Sequence, residues 1–287
     1  MAATRAATRG RRTSLGVRSA RRHAGGGRDL ARWQAPSKGG NPVPSRACCA
    51  PVQTGTLPAM DRSASKPHVT FVRVLARHDD LVFVDKPAGL LVHNSAWAGP
   101  REHTLVDEVD AALGAGWHPL HRLDRQTSGV VAFAAQAQVA RLQAALTTAD
   151  KRYWALVRGH LRARVEVDHA IVDDEDGARL ARPAQSVVTP LLLSPVERCS
   201  LVEVQLLTGR RHQARRHLKH LAHPVLGDAT HGKGPLNREF RERYGLSRMA
   251  LHARSLTLDG RSATSPLPPE LVAVLRRLFL SAADPFA

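Results

Sequence analysis

The stretch HRLDRQTSGVVAFA, residues 121–134, sets a charged turn directly against an apolar strand. Its first nine residues hold Arg122, Asp124 and Arg125 and end on Gly129, where a short apolar run of the kind used by buried strands begins. Taken by itself, Asp124 reads as one partner of a solvated ion pair worth little to stability, or as the opening residue of an Asx-type turn. The rest of the chain decides between that reading and a chemical one.

Downstream, Val139, Leu142 and Leu146 repeat along a helical stripe with Ala135 and Ala145 alongside. KRYWALVRGHL (151–161) then alternates Tyr153, Ala155 and Val157 with Trp154, Leu156 and Arg158, as a strand with two unlike faces does. CSLVEVQLLTG (199–209) alternates in the same way, Val202, Val204 and Leu206 on one face, until Thr208 and Gly209 close it. RRHQARRHLKHL (210–221) reads as a helix whose inward stripe is Ala214, Leu218 and Leu221. At 3.6 residues per turn Arg211 and Arg215 fall on its shoulder, while His212, Arg216 and Lys219 point outward toward phosphate. Upstream, VTFVRVLA and LVFVDKPAGLLVH are strand-like runs broken by a Lys-Pro-Ala-Gly turn, and PPELVAVLRRLF (268–279) is a closing helix that begins on proline. HPVLGD (223–228) reads as a tight turn leading to a further strand. Together these elements predict a mixed α and β, strand-rich single domain over residues 67–287.

The 287 residues carry a net charge of +17, distributed unevenly. Residues 1–59 hold ten arginines and one lysine against one acid, Asp29, for a net +10, leaving +7 for the remainder. Residues 1–66, rich in Ala, Arg, Gly and Ser and without apolar periodicity, are expected to be a disordered basic extension. Three readings fit it: an arm adding RNA affinity, an Arg-rich organelle transit peptide, or an upstream extension before a start at Met60. No window approaches the length of a membrane helix and no secretory signal is evident. Cys48, Cys49 and Cys199 match neither a disulfide framework nor a zinc spacing, so a soluble, cytoplasmic protein is expected. His212, His217, His220, His223 and His231 crowd together, yet no acidic or cysteine ligand lies at metalloprotease spacing, and no metal site is expected.

HRLDRQTSG, KRYWALVRG, LLTGRRHQARRHL and AHPVLGDATHGKG occur in the order and at roughly the spacing of the RluA-type pseudouridine synthases. With VDKPAGLLVH, the chain resembles that family across most of Leu81 to Leu258. The resemblance implies an α+β fold with a mostly antiparallel sheet core and flanking helices. It also implies isomerisation of uridine in RNA, with a T-stem uridine of tRNA as the target and no cofactor; a monomer without an obligate protein partner is expected. Asp124 then matches the catalytic carboxylate, an oxygen nucleophile suited to an electron-poor anomeric carbon as in glycosidases. Arg215 matches the family's basic partner, whose opposite charge favours an ionised carboxylate. Tyr153 matches the tyrosine that packs on the extruded uracil, and Arg122 the arginine that fills the vacated stack. Arg125, Lys151, Arg211, His212, Arg216 and Lys219 complete the set expected to face RNA, while Leu123 and Thr127 shape the turn. The carboxylate has three routes open to it: attack at C1′, addition to the uracil ring, or assistance to elimination on the sugar.

The chain departs from the family pattern twice. Ala214 stands where the family has a larger aliphatic residue, a smaller core contact. The first 66 residues lack the helical pattern of the S4-like RNA-binding domain that many relatives carry, so substrate selection is expected to reside in the catalytic domain. A ribosomal RNA target would differ in groove contacts rather than in the catalytic set. A catalytically silent RNA-binding protein would need only counterion release, and would have no use for a carboxylate among phosphates.

Overall fold

The computed structural model describes residues 72–94, 101–175 and 178–280. The basic segment 1–66 lies outside the described residues. Strands β1 (Arg73–Arg77) and β2 (Leu81–Lys86) lead through helix α1 (Leu105–Leu113) and the short β3 (Trp117–Pro119) into β4 (Ser128–Ala135), and α2 (Val139–Ala145) joins β4 to β5 (Asp150–Arg158). Then follow β6 (Val165–Asp168), the hairpin β7 (Ile171–Glu175) and β8 (Ala178–Arg182), β9 (Gln185–Leu193) and β10 (Cys199–Leu206). Helices α3 (Gln213–His220) and α4 (Gly234–Tyr244), strands β11 (Leu251–Leu258) and β12 (Arg261–Thr264), and α5 (Pro269–Phe279) complete the order.

One mixed sheet runs β1-β2-β4-β11-β5-β10-β9-β6, with β3 added beside β4 and β12 beside β11, and β7–β8 stands apart as a two-stranded ribbon. Its pairs are antiparallel apart from β4–β11, where Ser128 and Gly129 run parallel to His252 and Ala253. That close approach needs a glycine: Gly129 sits at φ +117°, and a Cβ there would collide with the Ala253 carbonyl. β4 is apolar along its length because it is central and covered on both sides, which is why it reads as a continuous run rather than an alternation.

Alternation sorts the remaining strands onto two faces. Val82 and Val84 of β2, with Leu105 and Val109 of α1, form a core on one face that Tyr153 joins to a second, where Ala155, Val157, Val202 and Val204 meet Ala214 and Leu218 of α3. On the other face, Leu81 and Phe83 pack with Leu142 of α2, and Leu156 and Leu201 pack with α4 and α5. Leu271, Val274, Leu275 and Leu278 of α5 are buried on the stripe the sequence predicts.

The run HPVLGD does not lead to a strand as its turn residues suggest. After a turn it enters α4, which has proline in its first turn and carries Leu236, Phe240 and Tyr244 at four-residue spacing onto the α5 side of the sheet. No helix among the described residues is long and apolar enough to cross a membrane.

Candidate active site

The loop entering β4 is fixed by the strand it feeds. Leu120 donates its N–H to the Ala132 carbonyl at 2.9 Å, and the Ala132 N–H donates to His121 Nε2 at 3.1 Å. Burial pushes His121 down to about 4, which keeps the ring neutral and able to accept that bond. The Thr127 N–H closes the turn on the Asp124 carbonyl at 2.9 Å, with Leu123 and Thr127 buried beneath it. Because backbone closes the turn, the Asp124 side chain is free to face a cavity of about 510 Å³.

Arg215 meets it there from α3. Its Nη1 donates to Asp124 Oδ2 at 2.8 Å, while Nε and Nη2 donate to Oδ2 and Oδ1 of Asp228 at 2.7 and 2.9 Å. This bidentate fork sets the plane of the guanidinium, so its remaining nitrogen is aimed rather than free to wander. Asp228, 1% exposed, also accepts the N–H groups of Thr230 and His231 at 2.9 and 2.8 Å. Burial would raise its carboxyl; the Arg215 bonds and the backbone donors outweigh that and hold it below the ordinary range. Burial likewise works against the charge on Arg215, and the two carboxylates outweigh it, raising the guanidinium further.

His212 precedes α3 in a left-handed conformation, φ 55°. That conformation breaks the helical phase and turns its ring toward the cavity: Nε2 lies 3.6 Å from Asp124 Oδ1, and Nδ1 lies 3.3 Å from His231 Nε2. Burial lowers its pKa and Arg215 and Arg211 add to the effect, against the pull of Asp124. Tyr153, opposite Ala253 in the sheet, belongs to the core clusters on either side of the site. Burial and the negative charge of Asp124 both raise its phenol, which therefore stays protonated.

The sequence-predicted residues divide into two groups. Asp124, Arg215, Arg122, Arg125 and His212 line one cavity, whereas Tyr153 is not in its lining and packs in the core, close enough to Asp124 to feel its charge. Arg125 is already engaged, its Nη2 2.6 Å from Glu102 Oε2 and its Nε donating to the Gly89 carbonyl. Lys151, Arg211, Arg216 and Lys219 are not part of that cavity. Lys151, half-buried in β5, donates to the carbonyl of Leu146 at the end of α2 at 3.0 Å. Arg216 donates to the Val172 carbonyl at 2.7 Å and, with Lys219, lines a separate depression beside β7; Arg211 is exposed ahead of α3. Of the crowded histidines, His217 is fully buried between Ser186 Oγ and the His169 carbonyl, and His220 stacks on His169 at 3.8 Å.

Two residues that hold the site in place do not stand out in the sequence, Asp228 in the cavity lining and Lys86 behind it. Asp228 was hidden in a turn motif, although it is the sole acid between Arg210 and His231. Lys86, fully buried at the end of β2, donates to the carbonyls of Pro87, Leu90 and Arg125 at 2.8, 2.7 and 3.2 Å. Burial pushes it down to about 7, while three carbonyl acceptors match the three donors of an ammonium and favour the charged form. It ties the Lys-Pro-Ala-Gly turn to the loop bearing Asp124.

The family model described as RNA pseudouridylate synthase matches residues 80–220. The tRNA pseudouridine synthase C of Haemophilus ducreyi is 39% identical over 207 residues, spanning 64% of this chain and 83% of that protein. The protein of the same name from Vibrio cholerae is 39% identical over 217 residues, spanning 68% and 88%. Among solved structures, Human RNA Pseudouridylate Synthase Domain Containing 1 aligns over 71% of this chain and 87% of its own, with 28% identity and a TM-score of 0.57. Human RNA Pseudouridylate Synthase Domain Containing 4 aligns over 72% and 92%, with 26% identity and a TM-score of 0.58.

Proposed function

The chain belongs to the RNA pseudouridylate synthase family and is an isomerase acting on RNA; from that premise we propose that it acts on tRNA, at a T-stem uridine, with Asp124 as nucleophile. The tRNA assignment draws on the relatives whose names carry that substrate. The catalytic assignment draws on one observation above all: the Asp124 carboxylate faces a nucleotide-sized cavity with one oxygen bonded to Arg215.

The reaction breaks the bond from ribose C1′ to uracil N1 and forms one from C1′ to C5. N1 gains a proton and C5 gives one up, so no atom is exchanged with a cofactor and no redox group is required. Oδ2 of Asp124 is committed to Arg215, which leaves Oδ1 as the oxygen presented to the substrate. Arg215 positions that carboxylate, and Asp228 positions Arg215. A paired uridine is reached by leaving its stack. Arg122, exposed at the cavity edge in the same loop, is placed to enter the space left behind. The protonated Tyr153 packs against the extruded base. The reaction runs in the cytoplasm, on a monomer, within residues 67–287.

Chemical mapping of an unmodified tRNA transcript and of unmodified ribosomal RNA, each incubated with the full chain, tests this. Pseudouridine is expected at one T-stem position. Conversion confined to ribosomal RNA would refute the tRNA assignment.

A further inference from the structure

The cavity holding Asp124 is lined by five arginines: Arg122, Arg125, Arg215, Arg241 and Arg248. Three are already bonded within the protein. Arg125 pairs with Glu102, and Arg215 with Asp124 and Asp228. Arg248 Nη1 meets Glu270 at 3.1 Å, while its Nη2 donates to the Gln126 carbonyl and to Ser128 Oγ at 3.2 and 2.7 Å, bracing the catalytic loop from below. Arg122 and Arg241 are the two whose side chains make no ion pair among the described residues. They reach the cavity from different elements, Arg122 from the loop of Asp124 and Arg241 from α4.

Helix α4 is anchored so that Arg241 stays there. Phe240 is buried against α5, and Asn237 clamps the loop that carries Asp228: its Oδ1 accepts the Gly227 N–H at 2.9 Å and its Nδ2 donates to the Asp228 carbonyl at 2.9 Å. Asn237 and Arg241 are four residues apart and share a helix face. The face that grips the Asp228 loop is therefore the one that delivers Arg241 to the cavity. Arg243, two residues on, is turned elsewhere, to Glu197 and Glu239 at 2.6 and 3.0 Å.

A nucleotide within an RNA chain enters the cavity with a phosphate on each side, and an unpaired guanidinium held on a rigid element suits bidentate contact to one of them. We propose that Arg241 binds a backbone phosphate flanking the target uridine, and so supplies substrate affinity rather than chemistry. This rests on the RNA isomerase reading above, and it gives α4 a role that the catalytic set does not.

The test compares Arg241→Ala, Arg241→Lys and Arg243→Ala on an unmodified tRNA transcript, measuring kcat and KM, and binding across a salt series. Arg241→Ala is expected to raise KM about tenfold with kcat within twofold. It should also shallow the slope of log affinity against log salt by about 0.7–0.9, the release of one phosphate contact. Arg241→Lys should recover most of the slope, and Arg243→Ala should change neither quantity. Unchanged KM and slope in Arg241→Ala, or an equal loss in Arg243→Ala, would overturn the proposal. A wild-type chain that binds the transcript without converting any uridine would refute the tRNA reading instead, and the binding constants alone would then decide for or against Arg241.

Discussion

Arg215 and Arg141 each bridge two aspartates, and they differ in almost everything but their bond lengths. Arg215 joins Asp124 and Asp228 at 2.7 to 2.9 Å with its side chain 8% exposed. Arg141 joins Asp80 and Asp259 at 2.9 and 2.8 Å with its side chain 50% exposed, and Arg261 extends that second cluster. The surface cluster pins α2 to the ends of β2 and β11 in water, where each pair is screened and worth little. The buried one is withdrawn from water, where an unpaired charge would be costly and a paired one is held still. Burial, more than pairing, separates a site from an ornament of the surface.

Removing one partner from each cluster exposes the difference most directly. Asp228→Ala leaves Arg215 buried with one of its three carboxylate bonds, and should cost about 3–5 kcal/mol in denaturant unfolding, along with most of the activity. Arg141→Ala should cost far less, as expected of a solvent-screened pair, and the difference from wild type should vanish at high salt. Equal costs at the two sites would show that burial does not separate them.

Acid sharpens the same comparison. His252, buried between Ser128 Oγ and the Ser265 carbonyl, is pushed down to about 4 by burial. Its folded pKa lies below the unfolded value, so between roughly pH 6.5 and 4 the unfolded chain binds more protons and stability falls with pH, by about 3 kcal/mol for this group. Thermal unfolding across that range should show the loss, and His252→Gln should reduce it, with His121, His212, His217 and His231, all lowered chiefly by burial, contributing to the rest. The contribution of Asp228 is present above the unfolded carboxyl pKa and is lost only as pH falls further, through its lowered folded value. Asp228→Ala should therefore flatten the most acidic limb and leave the histidine limb in place.

Smaller effects belong to the core. Ala214 is buried in the same core as Leu218 and Val204, and Ala214→Val, which adds volume to a packed site, should cost about 1–3 kcal/mol in denaturant unfolding.

Elements with a clean period were legible. β5, β10, α3 and α5 follow directly from alternation or a helical stripe, because their neighbours cover one side of each residue set and not the other. Tyr153 and Asp124 could be matched one by one through the resemblance, and Arg215 falls on the face expected of it. What failed to show depends on contacts distant in sequence. The left-handed His212 shifts its ring out of helical phase, so a residue read as outward reaches Asp124 instead. Arg216 was read as outward too, and the Val172 carbonyl of a distant strand takes it. Asp228 carries turn composition, since Pro224 and Gly227 surround it, and only the fold brings it back to Arg215. The turn after HPVLGD masked α4 in the same way, because its apolar spacing begins several residues later.

Asp124, held by Arg215, is the group proposed to perform the isomerisation. The most direct measurement is the single-turnover rate of Asp124→Asn on the unmodified tRNA transcript, beside its equilibrium binding. The substitution keeps size and shape while removing the nucleophilic oxygen, so the rate should fall by at least about a thousandfold, or ~4 kcal/mol of barrier, with binding changed less than threefold or so. Conversion at the wild-type rate would contradict the claim.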